Sequence, residues 1–308
     1  MNPADIEWRS FVVDEKPYCM WGIDTTSQNM RFLDGVDASY FYYVASSQIP
    51  NLNGPDRHRA ALTIRTTYAH ALETFFALLI AAVQAPHCPL GWILRYSPGD
   101  LARMVGKINR GDHLLAITKF DGTWLGLATA VNAFELAEHQ DNSRAKAQFA
   151  DLWSYLASDL LDSAAITEYN SVKHGLRASS GGSVTSIGSP GLGVQAFLRS
   201  ESEFGAHHFA AHKLRDNAIN FDVRDIIRNW CPHALAMRTQ LVCLSIGNVV
   251  SYLRVFLGAA PDDITFQCLD ATYSVSAPWT NLPEVRSVVA TQNVRVVNEQ
   301  LLTRPAFS

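Results

Sequence analysis

Polar and apolar positions alternate with a helical period over most of the chain. The longest such stretch covers residues 57–84, which follow Asp56, a residue well suited to cap the start of a helix. Its second half is apolar on nearly every side, which predicts a central, buried helix. Two further long helices are predicted over 144–174 and 232–257. The second of these begins at Pro232, because proline is tolerated in a first helical turn.

Shorter patterns fill the segments between these helices. Helices are predicted over 98–109 and 123–139, whereas 113–120 fits a strand or a helix. Residues 178–193 are rich in glycine and serine and predict a loop or a hairpin. In residues 194–214 polar and apolar positions alternate on both sides of a turn, which predicts a β-hairpin.

The predicted fold is mainly α: a helical bundle with a β-hairpin insertion and an irregular C-terminal tail. Residues 1–54 form a mixed N-terminal segment. The helical core covers 55–258 and includes the loop and hairpin at 178–214. The tail, 259–308, is expected to pack on this core.

Composition and charge narrow the class of protein. Hydrophobic residues make up 48% of the 308 and charged residues 18%, which is enough apolar material for a core. A formal net charge of −4 argues against broad, non-specific binding to nucleic acid or to a membrane surface. The sequence shows no signal peptide, and its five scattered cysteines form no CxxC pair, so we expect a cytoplasmic protein that does not enter a membrane.

One line of polar residues runs along the helix predicted at 57–84. At 100° per residue a narrow arc is shared by Arg59, Thr66, His70, Glu73 and Gln84, and Arg65 lies at its edge. Buried polar groups need partners. The line therefore predicts either an interhelical hydrogen-bond network or a functional cavity, with Arg65, His70 and Glu73 substantially buried.

A second polar face closes the helix predicted at 144–174. Asn170, Lys173, His174 and Arg177 fall on one side of this helix end and are candidate substrate-binding residues. The structural alternative is a solvated helix end, because cations there complement the helix dipole. The histidines of "GAHHFAAH" lack a nearby thiol or carboxylate at ligand spacing, and no phosphate-binding glycine motif is complete, so neither a metal nor a cofactor is predicted.

Two short motifs pair an arginine with a histidine. They are "RTTYAH", from Arg65 to His70, and "RNWCPH", from Arg228 to His233. Together with the helical layout, they resemble the HEPN superfamily, whose members are common in bacterial defence and toxin systems and include many metal-independent ribonucleases. The second motif has the Asn that this family often places directly after the Arg, and it lies where the last long helix begins.

The resemblance implies a composite active site at a dimer or pseudo-dimer cleft, with RNA as substrate. Arg228, His233, Arg65 and His70 are then the catalytic candidates, with Glu73 positioned to orient His70. In such chemistry histidine serves as acid or base, and arginine binds the charge that develops on the phosphorus. The alternative is a non-catalytic helical sensor or scaffold that binds a protein partner through its loop and hairpin, and the net negative charge favours this alternative.

Overall fold

The computed structural model of the chain is mainly α, as the sequence predicted. It describes residues 6–112, 114, 121–133, 143–173, 177–182, 184–187, 198–201, 203–213, 220–270, 272–280 and 285–295. Two compact units are present. Unit 1 comprises Met1–Ser47, Thr67–Asp162 and His233–Asn281, and unit 2 comprises Gln48–Thr66, Ser163–Pro232 and Leu282–Ser308.

The helices carry most of the chain's apolar residues. Among the described residues they are α1 (Thr25–Asp34), α2 (Tyr40–Gln48), α3 (Arg57–Gln84), α4 (Pro89–Arg95), α5 (Pro98–Asn109), α6 (Trp124–Val131), α7 (Ser143–Leu161), α8 (Ser163–Lys173), α9 (Pro232–Phe256) and α10 (Ala277–Thr280). A 3₁₀ turn at Ile49–Asn53 follows α2. The predictions for α3, α5 and α9 are confirmed to within one residue, because each has a local start or stop signal.

The helix predicted over 144–174 is two helices. The chain leaves helical geometry at Asp162, so α7 ends at Leu161 and α8 begins at Ser163. Aspartate and serine side chains compete for backbone hydrogen bonds and weaken a helix at such a point, although the apolar period continues across it.

The strands form three antiparallel sheets within the described residues. They are β1 (Glu7–Val13), β2 (Lys16–Gly22), β3 (Ala178–Ser180), β4 (Val184–Ile187), β5 (Leu198–Glu201), β6 (Gly205–Lys213), β7 (Asn220–Asn229) and β8 (Val285–Arg295). The pair β1–β2 belongs to unit 1. In unit 2, β4 pairs with β5, and a four-stranded sheet has the order β3-β6-β7-β8.

Strands are present in the segment where a hairpin was predicted, but β5 and β6 do not pair with each other. Each has a partner of its own, β4 for β5, and both β3 and β7 for β6. The tail predicted as irregular contains β8, which pairs with β7 along its whole length. The β7–β8 pairing joins distant positions, such as Asn229 and Val285, and has no local sequence signal, which is why it was not predicted.

The core of unit 1 is built on aromatic side chains. Phe75 and Phe76 of α3 are fully buried, and the Phe75 ring lies 5.6 Å from that of Trp153 on α7. The indole nitrogen of Trp153 donates to the hydroxyl of Ser245 on α9 at 3.1 Å. By length and composition alone α3 and α9 are apolar enough to cross a membrane, but 72% and 67% of their most apolar stretches are buried, as in core helices.

A single asparagine holds the chain that follows α9. The side-chain amide of Asn248 donates to the backbone carbonyl of Gln267 at 2.8 Å and accepts from the backbone N–H of the same residue at 2.8 Å. Its amide nitrogen also donates to the side chain of Asn132 at 2.8 Å, and the hydroxyl of Ser251 donates to the carbonyl of Thr265 at 2.6 Å. Residues 265 and 267 are therefore held through their backbone groups.

The turn between β1 and β2 is anchored by Asp14. Its backbone N–H and carbonyl both bond to the side chain of Gln84, and its carboxylate accepts from Arg103 at 2.7 Å and from Lys107 at 2.8 Å. Partial burial by itself would raise the pKa of Asp14, but the hydrogen bonds from Lys107 and Arg103 outweigh burial and lower it.

We expect Asp14→Asn to destabilise the protein by about 1 kcal/mol at pH 7 and by less in acid. A carboxyl group whose pKa is lowered by folding stabilises the protein above its unfolded pKa of about 4, and this contribution disappears as the pH falls through the folded pKa. Asparagine tolerates the positive φ of 56° found at this position.

Unfolding free energies of the wild type and of Asp14→Asn, measured between pH 7 and pH 3, test this expectation. Glu15→Gln is the control, because Glu15 also binds Lys107 but is 74% exposed. A difference between wild type and Asp14→Asn that stays constant across this range would contradict the assignment.

Candidate functional site

A buried ion-pair network occupies unit 2, and we call it the Glu168 cluster: Arg65, Glu168, Arg228 and Trp230. The carboxylate of Glu168 accepts two hydrogen bonds from the Arg65 guanidinium, at 3.2 and 3.0 Å. One of its oxygens also accepts from the indole nitrogen of Trp230 at 3.1 Å. The Arg228 Nε lies 3.8 Å from the other oxygen.

These side chains are withdrawn from solvent. The exposed fraction is 1% for the side chain of Glu168 and 9% for each of those of Arg65 and Arg228. The Arg65 guanidinium also lies over the Trp230 ring, 5.9 Å from its centroid. Breaking such a buried pair is costly because it leaves a charge without its counterpart in a medium of low dielectric constant.

Three members of the cluster, Glu168, Arg228 and Trp230, are placed by α8 and by the end of β7. Glu168 shares the buried face of α8 with Ala164 and Ser171, whose small side chains let the helix approach β6 closely. Arg228 and Trp230 belong to the end of β7 and the residue after it, and the Trp230 N–H is fixed by the carbonyl of Phe204 at 3.2 Å.

The two arginines of the predicted catalytic motifs thus meet at one carboxylate. Their predicted histidine partners do not join them in this cluster. His70 is exposed on α3, and His233 is exposed in the first turn of α9. Arg228 lies in a strand and not at the start of a helix, so the "RNWCPH" motif straddles a strand and a helix.

The prediction that Arg65, His70 and Glu73 are all buried is right for Arg65 and wrong for His70. Glu73 is half-buried. The polar line on α3 is exposed at Arg59 and His70 and becomes buried only near its end, at Gln84. A line of polar residues along an apolar helix most simply faces solvent, and the first half of this line does so.

The predicted substrate-binding residues lie at an exposed helix end. Asn170, Lys173 and Arg177 are exposed, and the Lys173 ammonium lies 5.5 Å from the centre of the Tyr169 ring. His174 falls outside the described residues. In the part of the chain that the structure describes, no three His, Cys, Asp or Glu side chains are grouped so as to hold a metal ion.

A second network, in unit 1, was missed by sequence reasoning, and we call it the Asp159 cluster: Tyr68, Asp159, Arg238 and Trp279. One oxygen of Asp159 accepts from the Tyr68 hydroxyl at 2.5 Å, from the Trp279 indole at 2.8 Å and from Arg238 at 3.3 Å. Arg238 also donates to the carbonyl of Pro278 at 2.9 Å. The sequence presents Asp159 as an ordinary acid on the surface of a helix, whereas it joins α3, α7, α9 and α10.

The outer face of the β1–β2 hairpin is apolar and exposed. It consists of the paired positions Trp8 and Trp21, Ser10 and Cys19, Val12 and Pro17, none of them charged. Trp8 and Trp21 are 60% and 65% exposed, and their ring centres lie 5.3 Å apart in an edge-to-face arrangement. The opposite face is buried through Phe11 and Val13. A solvent-facing tryptophan pair of this kind is typical of an interaction surface.

Comparisons of the chain with models of protein families, with curated proteins and with solved structures give no match. The HEPN resemblance therefore has no support beyond the two motifs and the helical layout. The side-chain arrangement described above is the basis for the functional conclusion.

Proposed function

We propose that this protein is a non-catalytic helical sensor or scaffold that contacts a protein partner. The observation that carries the proposal is the Glu168 cluster, which engages Arg65 and Arg228 together. A ribonuclease of the HEPN type needs an arginine free to bind the charge that develops on the scissile phosphate. A guanidinium that bonds a buried carboxylate, with the Nε of a second one 3.8 Å from the same carboxylate, suits a structural role better.

The outer face of the β1–β2 hairpin favours partner binding. Tryptophan is enriched among the residues that dominate the energy of protein–protein interfaces, whereas charged residues are depleted at interface centres. The outer face has two exposed tryptophans and no charge. It is therefore the surface that we assign to the partner.

Purified wild-type protein is expected to leave single-stranded and structured RNA intact, with or without a chelator. His70→Ala and His233→Ala, purified in parallel, should behave identically and should differ from the wild type by no more than about 0.5 kcal/mol in stability, because both histidines are exposed. Gel analysis of end-labelled RNA and thermal unfolding supply the two measurements. Wild-type cleavage that disappears in either variant would refute the non-catalytic assignment.

Complementation in cells distinguishes the scaffold from the enzyme. Where deletion of the gene gives a phenotype, we expect the double variant His70→Ala/His233→Ala to restore the wild-type state. Trp8→Ser/Trp21→Ser should fold but fail to restore it, because the tryptophans are exposed and form the assigned contact surface. The reverse pattern would favour the enzyme.

A further inference from the structure

A polar groove runs along the surface of α7 in unit 1, and we call it the α7 groove. Its volume is about 610 Å³, within the range of about 300–1,000 Å³ typical of small-molecule sites. One wall is α7, and the other is the chain at 273–276 that leads into α10. The lining residues are Arg144, Gln148, Asp151, Ser154, Tyr155, Ser158 and the run from Tyr273 to Ser276.

Hydroxyl groups dominate this lining. Ser154, Ser158, Ser274 and Ser276 contribute four, and Tyr155 and Tyr273 contribute two more. A hydroxyl both donates and accepts hydrogen bonds, so such a lining matches a ligand whose own polar groups are hydroxyls. The two tyrosines add flat apolar area, and the Tyr155 ring is held in place by stacking on Trp279, with ring centres 5.1 Å apart.

The groove is elongated and its far wall is fixed. The lining positions on α7 extend from 144 to 158, about 21 Å of helix at 1.5 Å per residue. The amide of Gln148 donates to the backbone carbonyls of Asp270 and Tyr273 at 3.0 and 3.1 Å, which ties the far wall to the helix. A preformed groove of this length suits an extended ligand of several units.

Charge argues against an anionic ligand. Arg144 is the one cation among the described lining residues, and Asp151 lies on the same wall two turns away. The described lining therefore carries one positive and one negative group, and a phosphate or a nucleic-acid backbone would meet the carboxylate of Asp151.

The lining also lacks the features of a peptide site. Peptides bind by adding a strand to an open sheet edge or by placing apolar side chains in pockets. The α7 groove has helix on one side and an irregular segment on the other, and Val275 is its one aliphatic lining residue among those described.

We propose that the α7 groove binds a neutral oligosaccharide. Its hydroxyl-rich walls, balanced charge, two tyrosine rings and length of about two nanometres together fit a chain of uncharged sugars better than a nucleotide or a peptide. None of the lining residues belongs to the Glu168 cluster, so this proposal does not depend on whether the protein cleaves RNA.

Isothermal titration with maltotriose, cellotriose and chitotriose tests the proposal, with tri-alanine and ATP as competing ligand classes. We expect at least one trisaccharide to bind in the millimolar range or tighter and to saturate at one site. Ser154→Ala/Ser158→Ala should weaken that binding about tenfold, because two ligand hydrogen bonds are lost. The thermal midpoint of this double variant should stay at the wild-type value, since neither serine is buried.

The matched control is Ser46→Ala/Ser47→Ala on α2. These serines are also unburied helix residues, and their hydroxyls bond to backbone carbonyls of their own helix, as that of Ser158 does. Binding should be unchanged in this control. The proposal is overturned if no trisaccharide binds at about 10 mM, if both double variants weaken binding equally, or if tri-alanine or ATP binds in preference.

Discussion

Replacing Glu168 with alanine is expected to lower the free energy of unfolding by about 3–5 kcal/mol. The substitution removes the acceptor of two bonds from Arg65 and one from Trp230. Both arginine side chains of the cluster are only 9% exposed, so water cannot replace the carboxylate without opening the unit. Glu168→Gln keeps the shape and one acceptor oxygen and should lose less.

Chemical denaturation of the wild type and both variants measures this loss. Glu203→Gln is the control in the same unit, because Glu203 pairs with Arg57 but is 53% exposed. Exposed pairs contribute at most about 1 kcal/mol. If Glu168→Ala were no more damaging than Glu203→Gln, the cluster would not stabilise the fold, and the structural reading of Arg65 and Arg228 would fail.

Asp159→Ala is expected to cost about 3 kcal/mol, somewhat less than Glu168→Ala. Three donors lose a charged acceptor, and hydrogen bonds to charged groups contribute about 1.5–3 kcal/mol each before allowance for solvent. The Asp159 side chain is 24% exposed, which reduces the total, whereas Arg238 is 3% exposed and keeps only the carbonyl of Pro278 among the bonds described above.

Asp151→Ala provides the comparison for Asp159→Ala. It removes an exposed aspartate from the same helix and should change stability by less than about 0.5 kcal/mol. Trp279 also donates to Asp159, so its fluorescence should shift in Asp159→Ala and not in Asp151→Ala. Equal stability of the two variants would show that the Asp159 cluster carries no net stabilisation.

Helices with local start and stop signals could be predicted from sequence, and pairings between distant segments could not. Helix α5 begins with a complete capping box, in which Ser97 and Asp100 bond each other's backbone N–H groups. Strand β7 lies in "NFDVRDIIRN", where charges interrupt the alternation of apolar residues. It is stabilised as a strand by neighbours that the local pattern does not reveal.

The candidate site illustrates the same limit. Glu168 meets Arg65 across 103 positions and Trp230 across 62, so nothing in its neighbourhood marks it as buried. The one available signal was the pair of small residues on its face of α8, Ala164 and Ser171. Short motifs singled out Arg65 and Arg228, and both are central to the site, but their partner is a carboxylate and not a histidine.

The hydrogen bonds of Asn248 to the backbone of Gln267 constrain how the sequence can change over evolution. Residues 265 and 267 are bound through backbone groups, so their side chains can change without loss of these bonds. Position 248, in contrast, should not change. Only a carboxamide both donates and accepts as a peptide group does, and aspartate or leucine supplies at most half of that pattern. Among related sequences, we expect residues 265 and 267 to vary while an asparagine persists 19 positions before residue 267.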